Sequence, residues 1–360
     1  MEELPSLYDY QIEGVADTKK KVIYHLNCGA GKTYLLVAKI RKIGLPGVLI
    51  CIKSDKKKWE RTNKRFGLNL EVYTKEEFQK ATVPNYNLLV YDEIHTCSMY
   101  TSGLFKAVHA YINRAKPEYI LGSTATPYRS TPWNVFSYYK LFGFNPNYME
   151  WRKRFFVEIS IGGDRTILKP NPKTEGEVKM MLSNICFKRD VATGIPHYII
   201  HRVPIVIPMM EKYGSIHDVA QAENRSKPML DKLDGLYESG TLIVCYYTEE
   251  VLMLKNMYNC VAVSGKFPWK EEYSDVDKYP VIVVQADSAT GWECPDHKNI
   301  IYFSRSWAYA SYEQSMGRIS RSNKFKDNYY HYLIPYYPDW NEKTVAEGVH
   351  TNLLKKQDFV

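Results

Sequence analysis

The chain has 360 residues, 45% of them hydrophobic and 24% charged, with a formal net charge of +8, which is enough apolar material for about two domains with cores of their own. No run of about 18 apolar residues occurs, and the start, Met1-Glu2-Glu3-Leu4-Pro5, has neither the basic nor the apolar region of a leader. The expectation is an intracellular protein, cytoplasmic or nucleoid-associated, that crosses no membrane. Seven cysteines without a C-x-x-C pair argue for reduced, buried thiols over disulfides or zinc, and the cationic excess is compatible with a polyanionic partner.

In chain order, the first stretch, Leu7 to Val15, is a short amphipathic segment. Its Gln11 amide can pair with an adenine edge and a nearby tyrosine can stack on the ring, although taken alone Gln11 reads more readily as a solvated helix residue. The apolar run Val22–Leu26 predicts a strand, and it leads through Asn27-Cys28-Gly29-Ala30-Gly31-Lys32-Thr33 into a helix-patterned segment. Glycines at 29 and 31 let the backbone turn so that successive N–H groups face an anionic oxygen, with the helix N-terminus adding positive potential. Lys32 would then reach β/γ-phosphates and Thr33 would put its hydroxyl on Mg²⁺. Leu26 stands where the strict phosphate-loop pattern has its first glycine, and a plain strand-to-helix turn is the other reading.

Val48–Ile52 predicts a buried strand whose end carries Lys53 and Ser54, placed to meet a ligand or to form a solvated helix face. Leu88–Tyr91 predicts another, running into Asp92-Glu93-Ile94-His95. An aspartate there can hold Mg²⁺ and the adjoining glutamate can act as a general base on water. A further strand, Tyr119–Gly122, ends in Ser123-Thr124-Ala125-Thr126-Pro127, a polar turn or a relay of hydroxyls.

The pattern is less regular from Phe155 to His201, with a hairpin around Ile159–Asp164 and a helix over Glu175–Ile185. Residues 155–202 are expected to connect a first domain, 1–154, to a second, 203–360. The second opens with a strand at Val203–Ile207 and a helical stretch from about Glu211 to Ser239. Strands at 241–246, 261–263, 281–284 and 300–303 follow, which implies a second parallel α/β sheet. Gln314-Ser315-Met316-Gly317-Arg318-Ile319-Ser320-Arg321 then sets two arginines at i and i+3 on one helical face.

Taken in order, these segments resemble the superfamily 2 helicases and translocases of DExH type over nearly the whole chain. Gln11 matches the adenine-recognising glutamine, Gly29 to Thr33 the Walker A loop, Asp92 to His95 the Walker B, and Ser123 to Pro127 the S/T-A-T relay. Gly291-Trp292-Glu293-Cys294-Pro295 is similar to G-x-D-x-P with glutamate for aspartate, and Gln314 to Arg321 matches Q-x-x-G-R-x-x-R. Phe187 to Val191 and Gly194-Ile195-Pro196 resemble the Swi/Snf-like branch, with Ile195 in place of leucine and a second arginine missing.

The resemblance implies two RecA-like parallel-sheet lobes with an ATP cleft between them and DNA across the top. It implies that Gln11, Gly29, Ala30, Gly31, Lys32, Thr33, Asp92, Gly291 and Gln314 bind ATP, and that Mg²⁺ sits at Thr33 and Asp92. Lys32, Glu93, Arg318 and Arg321 would serve catalysis, and Lys53, Ser54, Lys266 and Thr290 would meet the DNA backbone. The activity expected is ATP-driven movement on duplex, forked or branched DNA; the hairpin at Phe155–Leu168 reads either as a strand-separating wedge or as a structural turn packed on the first lobe. An RNA helicase and an ATP-gated clamp are the rivals.

Overall fold

The computed structural model describes all residues except 1, 28, 129–130, 161–165, 192–194, 207–213, 290–291, 293, 295, 320–326, 340–341 and 356–360. The chain divides into two compact units, one of Met1–Asn27 and Gly31–Val191, the other built mainly from Ala192–Val360.

The first unit begins with α1 (Asp9–Ala16), β1 (Lys21–Leu26), α2 (Lys32–Ile43), β2 (Gly47–Cys51), α3 (Lys56–Phe66), β3 (Leu70–Thr74) and α4 (Lys75–Phe78). It continues through β4 (Leu88–Asp92), α5 (Gly103–Ala115), β5 (Tyr119–Thr124), α6 (Pro132–Leu141), α7 (Tyr148–Phe155), β6 (Phe156–Ser160), β7 (Thr166–Pro170), α8 (Glu175–Ile185) and β8 (Cys186–Arg189). Six strands pair in the order β3-β2-β4-β5-β1-β8, all parallel. Every residue of β2 and β4 is buried, as strands covered by helices on both faces must be, and this is why they read as continuous apolar runs. Left-handed glycines, Gly44 and Gly67, end α2 and α3, while Ser102 and Asn147 side chains cap α5 and α7. Because β1 has β5 on one side and β8 on the other, the chain leaves β1, passes over β5 and β4 and resumes at β2. The crevice outside the carboxyl ends of strands at such a switch is where open parallel sheets bind ligands.

The stretch 155–202 is shared out. β6 and β7 form an antiparallel ribbon in register from Phe156↔Pro170 to Ser160↔Thr166, and the expected tip, 162–164, lies outside the described residues. β8 joins the first sheet beside β1, whereas β9 (Ile195–Pro204) belongs to the second unit's sheet.

That unit continues with α9 (Ile216–Asn224), α10 (Lys227–Asp234), β10 (Thr241–Cys245), α11 (Thr248–Met257), β11 (Val261–Val263) and β12 (Val281–Gln285), then β13 (Asn299–Tyr302), α12 (Tyr309–Met316), β14 (Asp327–Tyr336) and α13 (Val345–Leu354). Its six strands are again all parallel, in the order β11-β12-β10-β13-β14-β9. Two α/β sheets of this kind are RecA-like lobes, the fold class that the sequence implied. The four apolar runs expected between 241 and 303 are β10 to β13. The strand expected at Val203–Ile207 instead runs from Ile195 to Pro204. The helical stretch breaks at Arg225–Ser226, where Pro228 starts a new first turn. Helix α12 stops at Met316 with Gly317 as its cap, and Arg318 sits in the following turn; the face expected to pair Arg318 with Arg321 is therefore not helical at Arg318.

Candidate nucleotide site

At the end of β1 the backbone turns through two left-handed glycines, Gly29 at φ 74° and Gly31 at φ 65°. Gly31 is the N-cap of α2, which starts at Lys32. The positive φ favours glycine here, and a Cβ at position 31 would stand 2.5 Å from Gln11 Nε2, so the amide would have to shift. Gln11 is buried, 2% exposed. Its Nε2 donates to Gly31 O at 3.0 Å and its Oε1 accepts from Tyr8 N at 2.9 Å, so the amide expected on a base edge braces the phosphate loop against the start of α1. Lys32 Nζ donates to Leu26 O and to Asn27 O, each at 3.0 Å, and its amine lies back across the end of β1. Cys28 is outside the described residues. On the neighbouring strand position, burial and the Lys188 charge push the His25 imidazole down to about 4, leaving it neutral at physiological pH.

The acidic pair follows β4. Asp92 pairs with Ser123 of β5 in register, and its Oδ1 accepts from Ser123 Oγ at 2.5 Å while its Oδ2 accepts from Trp59 Nε1 at 2.7 Å. Glu93 has the left-handed conformation φ 56°, ψ 52°, uncommon for a residue with a Cβ and a form of strain that gathers at functional sites. Its Oε2 lies 3.0 Å from His95 Nδ1. That nitrogen is 2.8 Å from Thr124 Oγ1, which also accepts from Thr126 N at 3.1 Å. The two hydroxyls of the S/T-A-T turn are thus divided, Ser123 serving Asp92 and Thr124 serving His95. Since His25 of β1 is in register with Thr124 of β5, the loop, the hydroxyls and the acids sit at three adjacent strand ends, with β1 and β4 about 10 Å apart at ~4.8 Å per strand.

The residues present fit a magnesium nucleotide. Helix α2 offers first-turn N–H groups and no capping side chain, because Gly31 has none. Asp92, 8% exposed, keeps a lone pair on each oxygen beyond its two bonds. Among the described residues no three His, Cys, Asp or Glu side chains cluster to hold a metal.

The remaining expected residues are placed as follows. Lys53 and Ser54 are exposed in the 3₁₀ turn between β2 and α3. Lys266 is exposed after β11, its N–H bonded to Ser264 Oγ at 3.3 Å. Gln314 is buried in α12. Arg318, 8% exposed, is committed inside its own unit: Nε donates to Gln314 O at 2.8 Å, a terminal nitrogen donates to Trp292 O, and the guanidinium stands 5.7 Å from the Trp292 ring. Thr290, Gly291 and Arg321 lie outside the described residues. One side chain in contact with the acids was not singled out from the sequence: Trp59, hidden inside the basic run Lys56-Lys57-Lys58-Trp59, where its apolar neighbour seven residues on, Phe66, was the available signal.

The class that this fold and geometry define is a parallel α/β unit with a glycine-turned phosphate loop facing an acidic strand end. No protein-family model matches the chain, and no curated protein matches it. Among solved structures it is similar to the Sulfolobus solfataricus SWI2/SNF2 ATPase core in complex with dsDNA, at 14% identity over 98% of this chain and 91% of that chain, with a TM-score of 0.47.

Proposed function

We propose that the chain is an ATP-dependent DNA translocase or helicase whose hydrolytic site lies at the carboxyl edge of the first unit's sheet. The observation that carries this reading is the side-by-side arrangement of a left-handed glycine loop ending in Lys32, an Asp92 held by Ser123, and a Glu93 carboxylate 3.0 Å from His95 Nδ1. Mg²⁺-ATP, when bound, would supply the electrophilic phosphorus and the metal's charge. Lys32 exchanges the carbonyls of Leu26 and Asn27 for phosphate oxygens. Thr33 and Asp92 would hold the metal. Glu93 would take the proton of the attacking water at its carboxylate, which lies 3.0 Å from His95 Nδ1. The family resemblance assigns Arg318 and Arg321 to neutralising transition-state charge, and assigns Lys53, Ser54, Lys266 and Thr290 to backbone phosphates of DNA.

The DNA half of the reading is supported by the net charge of +8 and by the exposed Lys57 and Lys58 beside Lys53 on the segment after β2, since phosphate contacts by such cations carry sequence-independent binding. The test is ATP turnover by the full chain alone and with duplex, forked and single-stranded DNA and with RNA. Stimulation by DNA, falling steeply as salt rises, supports the motor. A chain that hydrolyses ATP equally with and without any nucleic acid is not one.

A further inference from the structure

Asp92 is held from two elements at once: a hydroxyl on β5 takes one oxygen and an indole on α3 takes the other. The two donors differ in kind. Ser123 Oγ is a rotor that can donate elsewhere after a small torsion, whereas an indole has a single N–H fixed in the plane of a large ring and accepts nothing. Trp59 is 0% exposed, so its ring cannot swing without opening the core, and its N–H has a carboxylate as acceptor, the arrangement that makes a short, strong bond. On the same helix Lys57 and Lys58 face solvent while Trp59 and Phe66 face inward. The inward and outward faces of α3 are therefore the acid's clamp and the chain's cationic surface.

We propose that Trp59 is a positioning residue of the nucleotide site, whose indole N–H fixes the plane of the Asp92 carboxylate so that its remaining lone pairs point at the metal. This rests on the reading of Asp92 as a Mg²⁺ ligand. Removing the N–H leaves the carboxylate pinned at Oδ1 only, free to rotate about the bond to Ser123, and metal affinity falls while contacts of the loop with phosphate persist.

The test is equilibrium binding of a non-hydrolysed ATP analogue to the full chain, with Mg²⁺ and with EDTA. It compares wild type, Trp59→Phe, and a variant carrying benzothienylalanine at 59, which keeps the bicyclic shape and has sulfur in place of N–H. The expected result is unchanged affinity in EDTA, within about twofold, and a Mg²⁺ enhancement reduced about tenfold or more in both variants, the range that loss of an outer hydrogen bond to a metal ligand produces. If Phe fails to fold, the benzothienyl variant decides alone. Variants with the wild-type Mg²⁺ enhancement overturn the positioning role and leave Asp92 as a ligand, as does a loss of affinity that is equal with and without the metal. A wild-type chain whose nucleotide binding ignores Mg²⁺ overturns the reading beneath it.

Discussion

The two units carry parallel sheets of the same size, and they use acidic side chains in opposite ways. In the first, Asp92 and Glu93 sit where β4 ends: Asp92 takes one hydrogen bond on each oxygen and keeps lone pairs beyond them, and the Glu93 side chain, 21% exposed, stands 3.0 Å from His95 Nδ1. In the second, Glu223 and Glu250 are both 0% exposed and saturated by their own fold. Glu223 accepts from Tyr337 Oη at 2.7 Å, from Val345 N at 3.1 Å and from Ala346 N at 3.4 Å, fastening the N-terminus of α13. Glu250 accepts from Asn224 Nδ2 at 3.0 Å, from Ser304 Oγ and from Tyr247 N at 3.4 Å. An acid on a helix inside the layers spends its lone pairs on holding elements together, and an acid at a strand end keeps some for a ligand.

If that division is right, the largest effects on chemistry come from the first unit. Glu93→Gln should slow ATP turnover by roughly 10²–10⁴, the range of a lost general base, with nucleotide affinity retained, because the amide keeps the shape and loses the basicity. Lys32→Ala should lose affinity as well as rate. Single-turnover kinetics beside equilibrium binding separates the two. In the second unit the matching substitution, Glu223→Ala, should leave nucleotide affinity alone and remove about 3 kcal/mol of that unit's stability, since it strands buried N–H and O–H donors. Denaturant unfolding measures this, and a stability change confined to the first unit would erase the contrast.

A smaller effect is expected at the loop itself. Gly31→Ala forces a Cβ into a left-handed position and onto Gln11, a strain of about 1–2 kcal/mol that should appear as weaker nucleotide binding with the thermal midpoint little changed. The smallest is a pH effect in the second unit. Burial pushes the Glu250 carboxyl up from 4.5 to about 7, so between these values the folded state holds a proton that the unfolded state has released. The stability this proton contributes is full below about pH 4.5, falls as pH rises towards 7 and is gone above it. Subtracting the profile of Glu250→Gln from wild type isolates that slope; a difference that rises with pH over the same window contradicts it.

The strands that were legible in the sequence are those whose physics is one-sided. β2, β4, β10, β12 and β13 are buried along most or all of their length and read as apolar runs. β9 did not, since nine of its ten residues face outward at least in part on a sheet edge, as His197, Tyr198 and Arg202 do, and a strand without a buried face has no period to find. β14, Asp-Asn-Tyr-Tyr-His-Tyr at its start, hides its pattern in tyrosines that are buried by ring and polar by tip. The same limit applied at the site. Glycines, lysine and adjacent acids announce themselves by spacing, but the hydrogen bond from Trp59 to Asp92 joins residues 33 apart, and nothing local marks an indole as a donor to a carboxylate two strands away. Gln11 shows the converse: its type was conspicuous, while its partner, the Gly31 carbonyl, came only from the fold.

The most direct test of the central claim is Mg²⁺-dependent ATP hydrolysis by the full chain, measured with and without forked duplex DNA, for wild type and Glu93→Gln in parallel. The account predicts turnover that DNA raises and salt lowers, and a Glu93→Gln chain that binds ATP and DNA as wild type does but hydrolyses almost none. Wild-type turnover in Glu93→Gln, or hydrolysis indifferent to DNA, would contradict it.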